Sequence, residues 1–300
     1  MIQESKAPVG TISVKNKPVK RYDDLGQNID LTTVESFGEE WNAFHQFDDA
    51  EIKKIGDTYF DIVTPAMLGQ DKIAADFGCG TGRWSKYMHD KVGAVAAIDP
   101  SDAVLAAGHL LQDIPNVHLY KASIDNLPFE NNYFDFGFSL GVLHHIPDTA
   151  KAMEACVEKI KPGGHFLVYL YYKLDNRGKL YRFLFSLSDL VRRVVSKMPA
   201  WLKKFTCNVM AVFFYMPFIL LSRLLKVFGV SKKIRSKIPL HVYENNSFYI
   251  IRNDALDRFG TPLEQRFSKA EIQQMMEKAG LGDIVFSNQS PFWHAVGKKR

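Results

Sequence analysis

Cysteine is scarce in this chain of 300 residues: Cys79, Cys156 and Cys207 are widely spaced and odd in number, which excludes a disulfide framework and a CxxC metal knuckle. No metal site is expected, and a reducing, cytoplasmic setting is the default. An apolar leader is lacking as well. The opening MIQESKAPVGTISVKNKPVKRYDD scatters lysines without any hydrophobic stretch, so neither a signal peptide nor an N-terminal anchor is expected there. The 13 prolines and 20 glycines follow no period, against collagen-like and low-complexity chains. No internal repeat is found, and a mean hydropathy of −0.14 argues against a polytopic membrane protein. What remains, 46% hydrophobic and 24% charged residues, is ordinary globular composition able to bury a real core.

Charge is unevenly spread. Between Lys173 and Leu240 there are fifteen basic residues against Asp175 and Asp189, a net charge of +13, whereas the remainder carries −8. An acidic body thus holds one strongly basic insert, an asymmetry that points to a partner or a surface.

From Asp71 to Tyr172 short apolar runs alternate with helical patterns, as βαβ units of a parallel sheet do. Strands are predicted at 71–77, 94–99, 116–120, 134–140 and 164–172, and helices at Gly82–Lys91, Ser101–Gln112 and Thr149–Ile160, with Ser101 and Asp148 where N-caps belong. Lys161-Pro162-Gly163-Gly164 is read as the turn into the fifth strand. Near the C-terminus Ser268 and Glu271 form a capping box ahead of a helix stopped by Gly280, and 283–288 with 292–299 read as a closing hairpin. Five segments follow: 1–35, a mobile tail; 36–70, a helical lid segment; 71–172, a cofactor-binding core; 173–267, a basic helical insert; and 268–300, the final helix and hairpin.

The sharpest motif is Asp76-Phe77-Gly78-Cys79-Gly80-Thr81-Gly82-Arg83-Trp84, directly after the first predicted strand. Glycines there let the backbone turn tightly and approach a ligand closely. A dinucleotide fingerprint reads G-x-G-x-x-G with a pyrophosphate on the helix N-terminus. This loop reads G-x-G-x-G with an acid two residues ahead, which repels phosphate and suits a cation or ammonium group. Asp99 ends the second strand, where a carboxylate reaches both ribose hydroxyls of a nucleoside. Nicotinamide and S-adenosylmethionine cofactors both meet that requirement, and the loop supplies the choice.

DFGCGTGRW, AIDPS, ASIDNLPFENNYFDFGFSLGVLHHI and IKPGGHFLVYL, in that order, resemble the class I S-adenosylmethionine-dependent methyltransferases, specifically the methyltransferase type 11 group. With the C-terminal αβ unit the resemblance covers about half the chain. It implies an α/β, Rossmann-like, seven-stranded sheet, mostly parallel with an antiparallel last strand, and a helical insert after strand five. It also implies S-adenosyl-L-methionine as cofactor. Asp76 would face its methionine end, Phe77, Gly78, Cys79, Gly80, Thr81 and Gly82 would pass beneath it, and Asp99 with Pro100 would hold the ribose. Ser123, Ile124 and Asp125 would line the adenine, with Leu140 and Gly141 closing the strand-four edge. Relatives often carry Asp where this chain has Ser123, so the adenine amino contact shifts to Asp125 or to backbone.

A sulfonium methyl is already activated, so alignment carries most of the catalysis. A hydroxyl or protonated amine acceptor also needs a base near working pH, usually histidine. His144 and His145, after strand four, are the candidates, either as base or as residues shaping the pocket. Tyr169 and Tyr171 share one face of the fifth strand and Tyr172 takes the other; as aromatic walls they suit a sugar, a flat acceptor or the sulfonium, and core packing is the alternative. Phe37 and Trp41 fall in the lid segment. Arg258 and Arg266 either bind a polar acceptor or pin the lid through ion pairs.

Within the insert, Arg182, Ser186, Asp189, Arg193 and Ser196 form one polar stripe on an otherwise apolar helix, and Phe205–Ser222 is uncharged but interrupted by Asn208 and Pro217. A helical cap, an interfacial membrane lid, a transmembrane helix and a nucleic-acid surface all fit this pattern in different degrees. The expected activity is methyl transfer to an oxygen or nitrogen of a small or lipid-linked biosynthetic acceptor, in the cytoplasm or peripherally at the inner membrane face. An RNA methyltransferase and a non-catalytic cofactor-binding module at a membrane surface are the rivals.

Overall fold

The computed structural model describes residues 2–22, 27–43, 48–174, 178 and 188–300. The chain divides into two compact units, Met1–Asn176 with Leu263–Arg300, and Arg177–Pro262. The strands are β1 (Gly10–Val14), β2 (Lys17–Arg21), β3 (Gly69–Phe77), β4 (Val92–Ile98), β5 (Val117–Lys121), β6 (Phe134–Leu140), β7 (Ile160–Tyr169), β8 (Leu281–Phe286) and β9 (His294–Lys299). The helices are α1 (Leu31–Ala43), α2 (Asp49–Tyr59), α3 (Arg83–Met88), α4 (Ala103–Leu110), α5 (Thr149–Glu158), α6 (188–195), α7 (Ala200–Met210), α8 (Met216–Val227), α9 (Lys232–Arg235), α10 (Phe248–Gly260) and α11 (Lys269–Lys278).

In the first unit one sheet runs in the order β1-β2-β5-β4-β3-β6-β7-β9-β8. Strands β2 to β7 pair in parallel along this order, β9 is antiparallel to both β7 and β8, and β1 is antiparallel to β2. The expected α/β, mostly parallel sheet with an antiparallel last strand is present, but with nine strands among the described residues instead of seven. The two extra strands come from the segment read as a mobile tail. Thr11, Ile12, Ser13 and Val14 pair with Lys20, Val19, Pro18 and Lys17 across a Lys15-Asn16 turn, and Lys15 takes the left-handed φ of 51° that such two-residue turns require. Strand β2 then adds to β5, with Val19 opposite Leu119 and fully buried. Pairing of this kind removes the open edge that a parallel sheet would otherwise leave at β5.

Two apolar layers sandwich the sheet. Phe77, Ile98, Phe134, Phe166 and Val168 join Met153 and Val157 of α5 and Ile272 and Met276 of α11 on one face. Val95, Phe136, Phe138 and Leu167 join Trp84 and Met88 of α3 and Val104 and Ala107 of α4 on the other. Capping follows the chemistry of the sequence. Asp148 accepts from the Lys151 N–H (3.0 Å), Ser268 and Glu271 form the capping box, and Gly280 takes a φ of 92°. Ser101 serves α4 through the Ala103 N–H (3.2 Å), although Asp102 occupies the cap position itself. Lys161-Pro162-Gly163-Gly164 is not a turn before the fifth strand but lies inside β7, where it produces the register shift against β6 between Phe134 and Phe136.

The second unit is helical, and its bounds, 177–262, fall just inside the 173–267 read from composition. Cys207, Ala211, Tyr215 and Ile219 line one side of a continuous helix over Trp201–Val227 and join Ile251, Ala255 and Phe259 of α10 in a core of their own. Pro217 does not interrupt that helix. A π turn over Ala211–Tyr215 precedes it and places it in the first turn of α8, where its missing N–H costs little. Arg182 and Ser186 of the predicted polar stripe lie outside the described residues; Asp189 holds Arg192 (2.8 Å) and Arg193 (2.9 Å). Glu244 accepts from Arg235 (3.1 Å) and Ser222 (2.7 Å), which hold its carboxyl down to about 2.

Replacing Val19 with Ala is expected to destabilise the first unit by about 2 kcal/mol, because a fully buried side chain is shortened against β5. Thermal unfolding measures this, and an unchanged midpoint would mean the N-terminal hairpin does not dock.

Candidate active site

The carboxyl ends of β3, β4, β5, β6 and β7 meet at one edge of the first unit, where open α/β sheets bind their ligands. The glycine loop is tied there by the Ile98 carbonyl, which accepts from both the Gly78 N–H (2.8 Å) and the Cys79 N–H (2.9 Å). Gly78 (φ 88°) leaves no room for a side chain: a Cβ would stand 2.4 Å from Val142. Gly80 (φ 52°) is different, since a Cβ there would meet no atom within 4 Å. The backbone at Gly80 therefore borders an open hollow.

Acids line that hollow. Asp99 accepts from the Gly80 N–H through Oδ2 (2.9 Å) and from the Ser101 N–H (2.8 Å) and hydroxyl (2.6 Å) through Oδ1, while burial raises its carboxyl above the ordinary range. Asp76 is fully buried, accepts from the Ser85 hydroxyl (2.7 Å) through Oδ2, and has no partner for Oδ1. Burial first, with Asp99 adding to it, pushes the Asp76 carboxyl up to about 7. Thr81 Oγ1 and Asp125 Oδ1 are also buried without partners, although the Asn28 N–H (2.9 Å) satisfies the other oxygen of Asp125. For Asp125 burial raises the carboxyl, but hydrogen bonds led by that N–H hold it low. Buried polar atoms without partners are costly in an otherwise well-satisfied fold. Here they surround a Cβ-free cradle, with acids placed for cationic and hydroxyl groups. This donor and acceptor set fits a cationic nucleoside and does not fit a pyrophosphate.

Some predicted contacts contribute only backbone. Phe77 and Ile124 turn their side chains into the apolar layer, as the alternation of β3 and the turn after β5 require. Cys79 is buried, and burial raises its thiol well above the ordinary value. Ser123 is buried and Pro100 half-buried beside Asp125 and Asp99 in the chain. Leu140 ends β6 and packs in the second layer, and the Gly141 N–H donates to the Tyr169 carbonyl (3.1 Å).

Beyond Gly141 the turn over Leu143–His145 buries both histidines side by side, ring centroids 4.0 Å apart. The ring of His144 stacks on Tyr171 (3.9 Å), neither of its nitrogens has a hydrogen-bond partner, and burial drives its basicity far down. It is a neutral wall. His145 Nδ1 faces the Leu263 carbonyl at 2.7 Å, an arrangement that needs the proton on Nδ1 and leaves Nε2 as the basic nitrogen. Phe37 packs edge-on against His145 (4.9 Å). Trp41 belongs to α1, but its side chain lies outside the described residues.

Tyr169 and Tyr171 do share a face (5.8 Å), and Tyr172 turns to the opposite side against Phe292 (5.9 Å), which removes it from the site. Arg266 stands over the Tyr171 ring (5.2 Å) and pairs with Glu264 (2.6 Å). Arg258 lies in the second unit on α10, paired with Asp254 (3.6 Å). Sequence reading missed Tyr59, which joins Trp84 (5.1 Å) and Tyr169 (5.2 Å) in one aromatic wall. It also missed Gln265, whose N–H and side chain hold the His144 and Ile146 carbonyls (3.0 and 2.7 Å). Neither sits in a recognisable motif; the only signal was position in the lid segment and in the segment that returns from the insert.

Comparison with known proteins agrees with this geometry. A family model described as methyltransferase domain matches residues 75–168. The ubiquinone biosynthesis O-methyltransferase of Nitrosospira multiformis is 30% identical over 167 residues, covering 53% of this chain and 67% of that protein. The protein of the same name from Nitrosomonas europaea is 27% identical over 184 residues, 58% of this chain and 76% of its own length. A solved putative methyltransferase from Bacillus halodurans C-125 aligns with a TM-score of 0.48 at 13% identity, over 78% of this chain and 72% of that one. The chain belongs to the class I S-adenosylmethionine-dependent methyltransferases and is an enzyme of that kind.

An Asp76 carboxyl placed against a cationic cofactor is expected to make its affinity pH-dependent. The fold holds a proton that the unfolded chain releases near its ordinary 3.8, so the ligand-free protein loses stability as pH rises from there to about 7. A cationic ligand needs the ionised form, and affinity is expected to rise about tenfold per pH unit up to about 7 and then level off. Calorimetry between pH 5.5 and 8.5 checks this; Asp76→Asn should weaken binding and flatten the profile, and a flat wild-type profile would refute the assignment.

Proposed function

We propose that the enzyme methylates an oxygen of a small, lipid-linked acceptor, with His145 as general base. The supporting observation is the fixed tautomer of His145 at the edge of an aromatic wall: Nδ1 engaged by the Leu263 carbonyl, Nε2 basic. The curated relatives carry O-methyltransferase in their names, which favours oxygen over nitrogen. S-adenosylmethionine, when bound, supplies an electrophilic methyl on a sulfonium sulfur. Asp99 and Asp125 orient its nucleoside by accepting from hydroxyl and amino groups, and Asp76 meets its cationic end. Tyr59, Tyr169 and Tyr171 hold a flat acceptor and exclude water. With an acceptor hydroxyl seated against this wall, His145 Nε2 would be the atom to take its proton. Alignment does most of the work, and proton removal adds to it.

His145→Ala is expected to lower kcat by about 10²- to 10⁴-fold while calorimetric cofactor affinity stays within about twofold. Methyl transfer from labelled cofactor to a lipid extract, with the product tested for an ether linkage, measures both points. Turnover retained by the variant would remove the base role, and label appearing on nitrogen would remove the acceptor class. His144→Asn should cost turnover less, since a neutral, stacked ring shapes the pocket without moving a proton.

A further inference from the structure

Seventeen of the twenty exposed large apolar side chains among the described residues lie between Leu190 and Phe248; only Val9, Leu31 and Val285 lie elsewhere. Isolated exposed apolar residues are normal, but a concentration of this kind on one helical unit marks a surface for something apolar. Its centre is the continuous helix Trp201–Val227, whose most apolar window has a mean hydropathy of 1.8. Trp201 (72% exposed), Phe205, Phe213 (69%), Phe214, Phe218, Leu221 and Leu224 all face outward on it.

By length and composition this helix can cross a bilayer. Its other side decides against crossing. Cys207, Ala211, Tyr215 and Ile219 are already packed on α10, which also carries Arg252 and the Asp254–Arg258 ion pair, with Asp254 accepting from the Tyr243 hydroxyl of the preceding turn. Crossing would either strip the helix from α10 or carry those charges into hydrocarbon, and both are costly. Lying in the plane of the interface keeps the packed side in the protein and puts the open side in lipid.

Charge specifies the lipid. Lys197 and Lys204 near one end of the helix, and Lys232, Lys233 and Lys237 beyond the other, are exposed and have no ion pair among the described residues. Three acids of the unit are already paired: Asp189 with Arg192 and Arg193, Glu244 with Arg235, Asp254 with Arg258. A partner that covers an aromatic, aliphatic face and also presents negative charge at both ends is an anionic bilayer surface. A nucleic acid would satisfy the lysines but leave the phenylalanines in water. We propose that this face of the second unit seats the enzyme on an anionic membrane, with the Trp201–Val227 helix lying in the headgroup region. This inference is independent of the acceptor assigned above.

The test is co-sedimentation of the full-length protein with vesicles of phosphatidylcholine containing roughly one-third phosphatidylglycerol, compared with phosphatidylcholine alone. Binding to the anionic vesicles is expected to be at least about tenfold tighter and to weaken in high salt. The triple variant F213S/F214S/F218S, which removes only exposed rings, should lose at least about tenfold of that binding while cofactor affinity, read calorimetrically, is unchanged. K232E/K233E/K237E should lose preference for the anionic vesicles. In wild-type protein, brominated lipid should quench part of the tryptophan fluorescence, and W201F should abolish that part. The proposal is overturned if the protein stays in the supernatant with both vesicles, if alkaline carbonate fails to extract it from membranes, or if the triple variant binds as wild type does. A lipid-free dimer that dissociates in the triple variant, or RNA binding tighter than vesicle binding, would likewise overturn it. Methyl transfer to a soluble acceptor analogue by the vesicle-binding mutants separates failure of this inference from failure of the proposed reaction.

Discussion

The carbonyl oxygen of Ile98 is the fixed point of the active site. By accepting two successive N–H groups from the glycine loop it ties the end of β3 to the end of β4, and Asp99 adds a third tie at Gly80. With the loop held there, Gly80 borders a hollow and Asp76 is left dry beneath it. The same ties bring two carboxylates into one poorly solvated space, an arrangement that is electrostatically unfavourable and is relieved in part by proton uptake at Asp76. The cradle is thus less stable by itself than when filled, and binding strength can come from that difference.

The path from cradle to chemistry runs through rigid backbone. Gly141 hydrogen-bonds to Tyr169, the turn after it packs His144 on Tyr171, and the segment returning from the insert closes the arrangement through Leu263 and Gln265. The basic nitrogen of His145 is therefore positioned by a main-chain carbonyl 118 residues further along the chain. A carbonyl does not titrate, so it holds the ring at every pH at which the fold persists.

The parallel strands, their caps and the acids at the ends of β3 and β4 were legible because each depends on short-range chemistry: alternation of apolar residues, Ser or Asp ahead of a helix, glycine where φ is positive. Asp76, Asp99 and the histidine pair are found where their motifs put them. The N-terminal hairpin was not legible, since its lysines and five-residue strands resemble a polar tail until β5 supplies a partner for Val19. Tyr59 was missed for a related reason, because nothing local marks a tyrosine at the end of α2 as the neighbour of Trp84 and Tyr169. The fate of Pro217 was misjudged because composition shows a helix breaker and only the backbone shows the widened turn that accommodates it.

That widened turn sets a constraint on how the insert can change. One residue more than a regular helix needs is absorbed between Ala211 and Tyr215, so the segment after it is rotated by about 100° relative to an unbroken spiral. Losing a single residue there would leave a regular helix with Ile219 and Ser222 still in phase, whereas gaining a further one would swing them out of their packed positions and turn Phe218 toward α10. Loss of one residue in this stretch is therefore compatible with the packing on α10, whereas gain of one is not.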